Sequence, residues 1–400
     1  MNLWIPFAAS AGTLLAVASF VGAGWDAPPV ETTQIGYRGT GMVIHRDVEK
    51  QEALRAANVA PAAPWEASPD GDKAGTIYEN VQVLGDLSDD QFNQFMASIT
   101  EWVAPEAGCN YCHNPENLAS DEVYTKVVSR RMIQMTQAIN TDWSSHVAQT
   151  GVTCYTCHRG QAVPVSYWYK DMEPKPAGNM TQNRAGQNVV AKFAGNTSMP
   201  QNALMDYLLN DKPIRVHSLT ALPAGDDPAK MPAGVPAGVK ETEGTWALMM
   251  HMSESLGANC MTCHNSRAFN DWDQSPPQRV TAWHGIQMTR ALNLDYMEGL
   301  TPVFPADRKG PEGDVFKAGC GTCHNGVQKP LYGVSMMDAY RDALGKKGST
   351  DVPDFSTYEP GKTQTIAPGR QSAIPAAKDT EFAAATAASA SAGDQKPSRD

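Results

Sequence analysis

Charge is scarce in this chain. Only 19% of its 400 residues are Asp, Glu, Lys or Arg, against about 25% in an ordinary globular protein. No charged side chain precedes Asp26, and the start carries no Lys or Arg, which argues against a cleaved secretory signal with a basic leader. No cysteine occurs before Cys109, so there is none to carry an N-terminal lipid anchor. The net charge of −11 excludes a nucleic-acid partner. It suits a small basic protein steered in by the field, and equally a plain acidic surface.

All eight cysteines fall into four copies of Cys-x-x-Cys-His: Cys109 and Cys112 with His113, Cys154 and Cys157 with His158, Cys260 and Cys263 with His264, Cys320 and Cys323 with His324. A disulfide scaffold belongs to short chains, and a zinc ribbon has no need of a histidine after every second cysteine. The pattern is the attachment signature of c-type haem. Two thiols three residues apart reach the vinyl groups on one porphyrin edge, and the adjoining histidine ligates iron from the proximal side. With 33 Gly and 28 Pro, much of the chain should be loop, and four apolar macrocycles would supply interior that side chains alone do not.

Residues 1–25 are apolar or small apart from the polar Asn2, Ser10, Thr13 and Ser19. As a helix, Trp4 to Trp25 would span roughly 31 Å, about one hydrocarbon thickness, with a tryptophan near each interface. We therefore expect an uncleaved membrane helix there, a Pro/Gly-rich leader over 26–75, a first two-haem repeat over 76–162, a connecting segment over 163–240, a second two-haem repeat over 241–335, and a low-complexity, largely disordered tail over 336–400. The expected fold is mainly α with long loops, a multihaem c-type cytochrome built as a two-fold internal repeat. Haem attachment on the outer side of the bacterial inner membrane puts the bulk of the chain in the periplasm.

The repeat is legible in the helices. Ser88-Asp89-Asp90-Gln91 reads as a capping box, followed by Phe92, Phe95, Met96, Ile99 and Val103 on one face, with Pro105 as the stop. Ser120 is expected to cap a second helix carrying Tyr124, Val127, Val128, Met132, Met135 and Ile139. A third runs from about Glu243 to Ser255 with Trp246, Met249 and Met250 on a face, closed by Gly257. A fourth opens at Ser275-Pro276 and carries Val280, Trp283, Met288 and Ala291. Ile133 to Asn140 matches Ile286 to Asn293 at a shift of 153 residues, and the same shift carries Met96 onto Met249. Met96, Met132 and Met249 thus become candidate distal ligands, with Met250, His251 and Met252 as local rivals to Met249. Met135 and Met288 read as packing. The fourth unit has Gly285 where the second has Met132, so its iron needs another ligand or stays open. His146 and His284 are the candidates, and spacing does not choose between them, although His284 is about 100° off around the helix. His45 and His217 read as loop residues without a ligand role.

From about Tyr78 to Tyr332 the chain resembles the tetrahaem cytochrome subunit of the photosynthetic reaction centre of purple bacteria. The resemblance is carried by Val81 to Leu87, Tyr124 to Met132, Gly151 to Gly160, Arg267 to Trp272 and Lys329 to Gly333. It implies four haem c groups, three His/Met and one bis-His, with distal Met96, Met132 and Met249 and with His146 on the last haem. It also implies an electron carrier, not an enzyme, relaying electrons from a soluble cytochrome c or high-potential iron–sulfur protein to the bacteriochlorophyll pair. The implied partners are the L, M and H membrane subunits and the light-harvesting ring. Many members carry a lipidated N-terminal cysteine, which this chain lacks. A multihaem reductase would need an open iron, for which the fourth is the only candidate. A quinol-oxidising cytochrome would have a more compact domain dominated by histidine ligation.

Overall fold

The computed structural model describes residues 12–19, 22, 29–35, 42–170, 203–212, 214, 239–269, 272–346, 351–352, 354–362 and 370–371. Within 1–25, residues 12–19 and 22 are helical, and the rest of the expected anchor lies outside the described residues. Among the described residues no helix is long and apolar enough to cross a membrane. His217 and the alanine-rich stretch after residue 383 also lie outside them.

The leader is more structured than its composition suggests. Strands β1 (Val30–Ile35) and β2 (Met42–Asp47) pair antiparallel with Val30 opposite Asp47, and Asp47 caps helix α1 (Val48–Ala57) by accepting from the amides of Glu49 and Lys50. His45 is therefore a strand residue, bonded through Nδ1 to Thr32 Oγ1 at 2.8 Å.

Four longer helices carry the first architecture-defining contacts. Helix α2 (Asp89–Val103) starts in a complete capping box, with Gln91 N donating to Ser88 Oγ at 3.1 Å and Ser88 N to Gln91 Oε1 at 3.3 Å. Helix α3 (Tyr124–Asp142) does not use Ser120 as its cap. Val123 holds that position without a side-chain bond, and Ser120 Oγ instead accepts from Glu122 N in a local turn. Helix α3 is followed by the single turn α4 (Ser144–Val147) and by α5 (Cys154–His158). After α6 (Ala203–Leu208), helix α7 (Val239–Leu256) ends at Gly257, whose φ of +55° suits glycine. Helix α8 (Gln278–Ala291) continues into a π-helical turn, Leu292–Met297, and α9 (Cys320–His324) carries the last motif.

Helix α2 presents one broad apolar face, and α7 departs from its expected face at Trp246. On α2, Phe95 and Trp102 are buried against protein, in a cluster with Leu87, Ile133, Tyr340 and Leu344. Phe92, Met96, Ile99 and Val103 pack against the same cluster and also line a cavity of about 650 Å³. The residues expected on one face thus share one cluster. On α7 the inward face is Ala247, Leu248, His251 and Ser255, while Trp246 is exposed, contrary to its expected place on the apolar face.

Among the described residues the buried apolar side chains form four clusters, two of them bridged by Met135. Met337, Tyr340, Ala343 and Leu344 belong to the first of the four, so the segment expected to be tail opens with packed structure: helix α10 (Arg341–Leu344) buries Ala343 and Leu344 and leaves Arg341 and Asp342 exposed. The third cluster joins α3 to α8 through Ile139, Trp143, Met288 and Tyr296. Arg131, almost fully buried, reinforces that joint by donating to the Asp295 carbonyl at 2.7 Å and by lying 4.0 Å over the Tyr296 ring. Arg131→Leu should leave that carbonyl unpaired and cost about 2–3 kcal/mol, read as a lowered midpoint in chemical denaturation of the purified protein.

Candidate functional site

The four motifs take two local forms. The first and third are 3₁₀ turns, Gly108–Tyr111 and Cys260–Thr262. The second and fourth are the single α turns α5 and α9, each held by a threonine three residues in: Thr153 N donates to Thr156 Oγ1 at 3.0 Å and Gly319 N to Thr322 Oγ1 at 2.9 Å. Two asparagines fasten these α turns to the helix before them. Asn140 Oδ1 accepts from Val152 N at 2.7 Å while its amide donates to Val152 O at 2.9 Å. Asn293 makes the same reciprocal pair with Ala318, at 2.8 and 2.9 Å. Val152 and Ala318 each lie two residues before the motif's first cysteine.

Each motif histidine bonds a backbone carbonyl through Nδ1. His113 meets Leu118 O at 2.9 Å and His264 meets Phe269 O at 2.9 Å. His158 meets Gln161 O at 2.9 Å and His324 meets Val327 O at 3.0 Å. A carbonyl only accepts, so each Nδ1 carries the proton and each Nε2 keeps its lone pair for a metal. Burial lowers the pKa of His146, His158 and His264. His324 falls to about 4, through burial first and the neighbouring His146 second.

The distal candidates are placed as follows. Met96 and Met132 line the 650 Å³ cavity together with His113 and His158. Met249 is partly buried against the α6 cluster, so its pairing with His264 rests on sequence register. Met288 is buried in the α3–α8 cluster, and Met135 packs against that cluster and its neighbour. His251 is buried and its Nε2 accepts from Cys320 N at 3.2 Å, which ties it to the fourth motif. His284 is buried inside α8, and its Nδ1 has no hydrogen-bond partner among the described residues.

His146 is brought to His324. Their ring centroids are 6.0 Å apart, and His146 Nδ1 bonds Thr281 O at 2.9 Å. The ring lies directly over Gly285, where an added Cβ would sit 2.5 Å from Cε1, 2.8 Å from Nδ1 and 3.1 Å from Nε2. Gly285 thus does more than fail to ligate. Its missing side chain is the space His146 occupies.

Burial pushes the thiols of Cys154 and Cys320 up to about 12 and that of Cys263 up to about 11. Among the described residues no three His, Cys, Asp or Glu side chains converge on one metal position. The sulfurs of Cys157 and Cys323 lie side by side, with their Cα atoms 4.4 Å apart. Those sulfurs have two exclusive fates, a bridge or two thioethers.

The family described as "Photosynthetic reaction centre cytochrome C subunit" matches residues 26–343. The chain belongs to that family. It is 48% identical over 331 residues to the photosynthetic reaction center cytochrome c subunit of Rubrivivax gelatinosus, covering 82% of this chain and 87% of that protein. The corresponding subunit of Thermochromatium tepidum is 46% identical, over 82% and 78% of the two chains. That of Roseobacter denitrificans is 43% identical, over 83% and 87%. Membership makes the chain an electron carrier rather than an enzyme, with covalently bound haem c, associated with the reaction-centre membrane complex.

The His146–His324 pair tests whether these residues suit that cofactor. Metal–imidazole bonds of about 2 Å, with each ring centre about 1 Å beyond its nitrogen, set two rings on opposite sides of one metal roughly 6 Å apart. The observed 6.0 Å accommodates one metal between them. Sequence reading missed the four carbonyls and the two asparagines. The only signal for the latter was that both matched strings end in Asn.

In an open helix interior, Ala is favoured over Gly by about 1 kcal/mol. At position 285 the sign should reverse, with a cost of about 1–3 kcal/mol from overpacking. Denaturation of the Gly285→Ala protein checks it: a raised midpoint would contradict the packing described.

Proposed function

We propose that this chain holds four covalent haems and relays electrons from a soluble periplasmic carrier, a cytochrome c or high-potential iron–sulfur protein, to the photo-oxidised bacteriochlorophyll pair. The eight motif cysteines carry the haems as thioethers, Cys157 and Cys323 included. His113, His158, His264 and His324 are the proximal ligands. Met96, Met132 and Met249 close the distal sides of the first three irons, and His146 closes the fourth. When bound, each haem supplies a one-electron Fe(III)/Fe(II) couple.

The observation that carries this reading is the His146–His324 pair across Gly285. The fourth motif was the one place where an open iron, and hence substrate chemistry, was available from sequence. A histidine aimed into that position leaves the protein's side chains occupying both axial directions, so charge relay is what remains. Two histidines also set a lower potential than a histidine–methionine pair.

Three contacts support a row in the order first, second, fourth, third. The first and second motifs share one cavity. Cys157 of the second approaches Cys323 of the fourth, at 4.4 Å between Cα atoms. His251, on the helix bearing Met249, accepts from the fourth motif's Cys320. Short steps between neighbours are what a relay needs. The two-fold repeat is supported by the matching Asn140 and Asn293 clamps. Residues 1–25 we read as a single anchor in the inner membrane, with the haem domain in the periplasm against the L, M and H subunits and the light-harvesting ring.

Pyridine haemochrome assay of the denatured, pigment-extracted chain should give four haems, and its intact mass should leave no room for a disulfide. A lower haem count overturns the reading. His146→Ala should alter the potential and spin state of one low-potential component only, followed by redox titration with low-temperature EPR. Four unchanged midpoints would remove His146 from the ligand set.

A further inference from the structure

The first motif differs from the other three in what else its histidine's carbonyl receives. Leu118 O accepts from His113 Nδ1 at 2.9 Å and also from Lys126 Nζ at 2.7 Å. Among the described residues no lysine reaches Gln161 O, Phe269 O or Val327 O, the corresponding acceptors for His158, His264 and His324. Lys126 is 7% exposed, and its Nζ also donates to Ser120 O at 2.9 Å and lies 3.5 Å from Asp121 Oδ1. Two carbonyls and a carboxylate match the three donors of an ammonium. That carboxylate is already engaged: Arg130 grips both oxygens, at 3.0 and 2.9 Å, and Asn80 donates to Oδ1 at 2.9 Å. Two buried cations thus face one buried carboxylate, leaving positive charge beside the first motif's proximal histidine.

We propose that Lys126 is a positioning residue that holds up the reduction potential of the first haem, by sharing the Leu118 carbonyl with His113. The inference rests on the reading of His113 as a proximal ligand. A carbonyl whose electron density is drawn toward an ammonium is a poorer acceptor for an imidazole N–H. His113 then keeps less imidazolate character and donates less to iron, which disfavours Fe(III) more than Fe(II). The uncompensated buried cation acts in the same direction, because it repels the added charge of the oxidised centre. Both effects favour the reduced state when an electron arrives from the donor.

The test is spectro-electrochemical titration of the full chain. Lys126→Met keeps the apolar stem and removes the charge and its donors. At fixed ambient potential it should lower the reduced-to-oxidised ratio of one component about tenfold, which is ~59 mV for a one-electron couple. The other three should not move, and Lys126→Arg should restore most of the ratio. The displaced component should be the one that Met96→His displaces. If Lys126→Met does not fold, Lys126→Gln retains an amide donor without charge and should shift the same component the same way by a smaller factor. Unchanged midpoints in a four-haem variant, or a shift in a different component, would overturn the proposal. A wild-type chain with fewer than four haems would instead overturn the reading beneath it.

Discussion

Each motif histidine spends its Nδ1 proton on a backbone carbonyl 2.9–3.0 Å away, and the rest of the site depends on that bond. It selects one tautomer, leaves the lone pair on Nε2, and fixes the plane of the ring. Because the acceptor is backbone, the loop after each motif is what holds its histidine. Where the acceptor lies three residues on, at Gln161 and Val327, the motif is an α turn. Where it lies five residues on, at Leu118 and Phe269, the motif is a 3₁₀ turn. Two loop lengths therefore give two kinds of site, alternating along the chain.

Among the described residues, four clusters of apolar side chains with a cavity beside the first describe an interior that is partly reserved. Helix α2 shows how this is done. Phe95 and Trp102 are buried in protein, and Met96 and Val103 pack against the same cluster while lining the cavity. Such a helix is apolar over a wider arc than a surface helix, and it can bridge a side-chain core and a cofactor without a polar boundary. Residues that must carry charge through this interior, Arg131, Arg130, Lys126 and Lys317, are each tied to carbonyls or carboxylates, as burial demands.

Much of the site was legible because covalent attachment leaves a fixed residue spacing. The four motifs, the Ser88 capping box and the place left by Gly285 are all side-chain signals. His146 was not reachable by spacing, because it lies in a short turn well over a hundred residues from the helix it packs on, and family resemblance had to choose it. The carbonyl acceptors were invisible for a different reason: every residue has one, so nothing in the sequence distinguishes Leu118 or Val327. Ser120 misled because serine binds nearby amides in turns as readily as at helix starts. The segment from Met337 to Leu344 misled because a short apolar stretch beside a polar tail has no periodicity of its own. Its burial comes from Phe95 and Trp102, far away in sequence.

The close approach of Cys157 and Cys323 has a consequence for how this chain matures. Once the fold has brought those two sulfurs together, an oxidising compartment would lock them to each other. On the proposal that both sulfurs carry haem, attachment at the second and fourth motifs would have to come before the fold joins them, with the thiols kept reduced until then. The tertiary structure would then act as a deadline on the assembly line, and a chain that folded too early would be diverted into a dead-end species short of two cofactors.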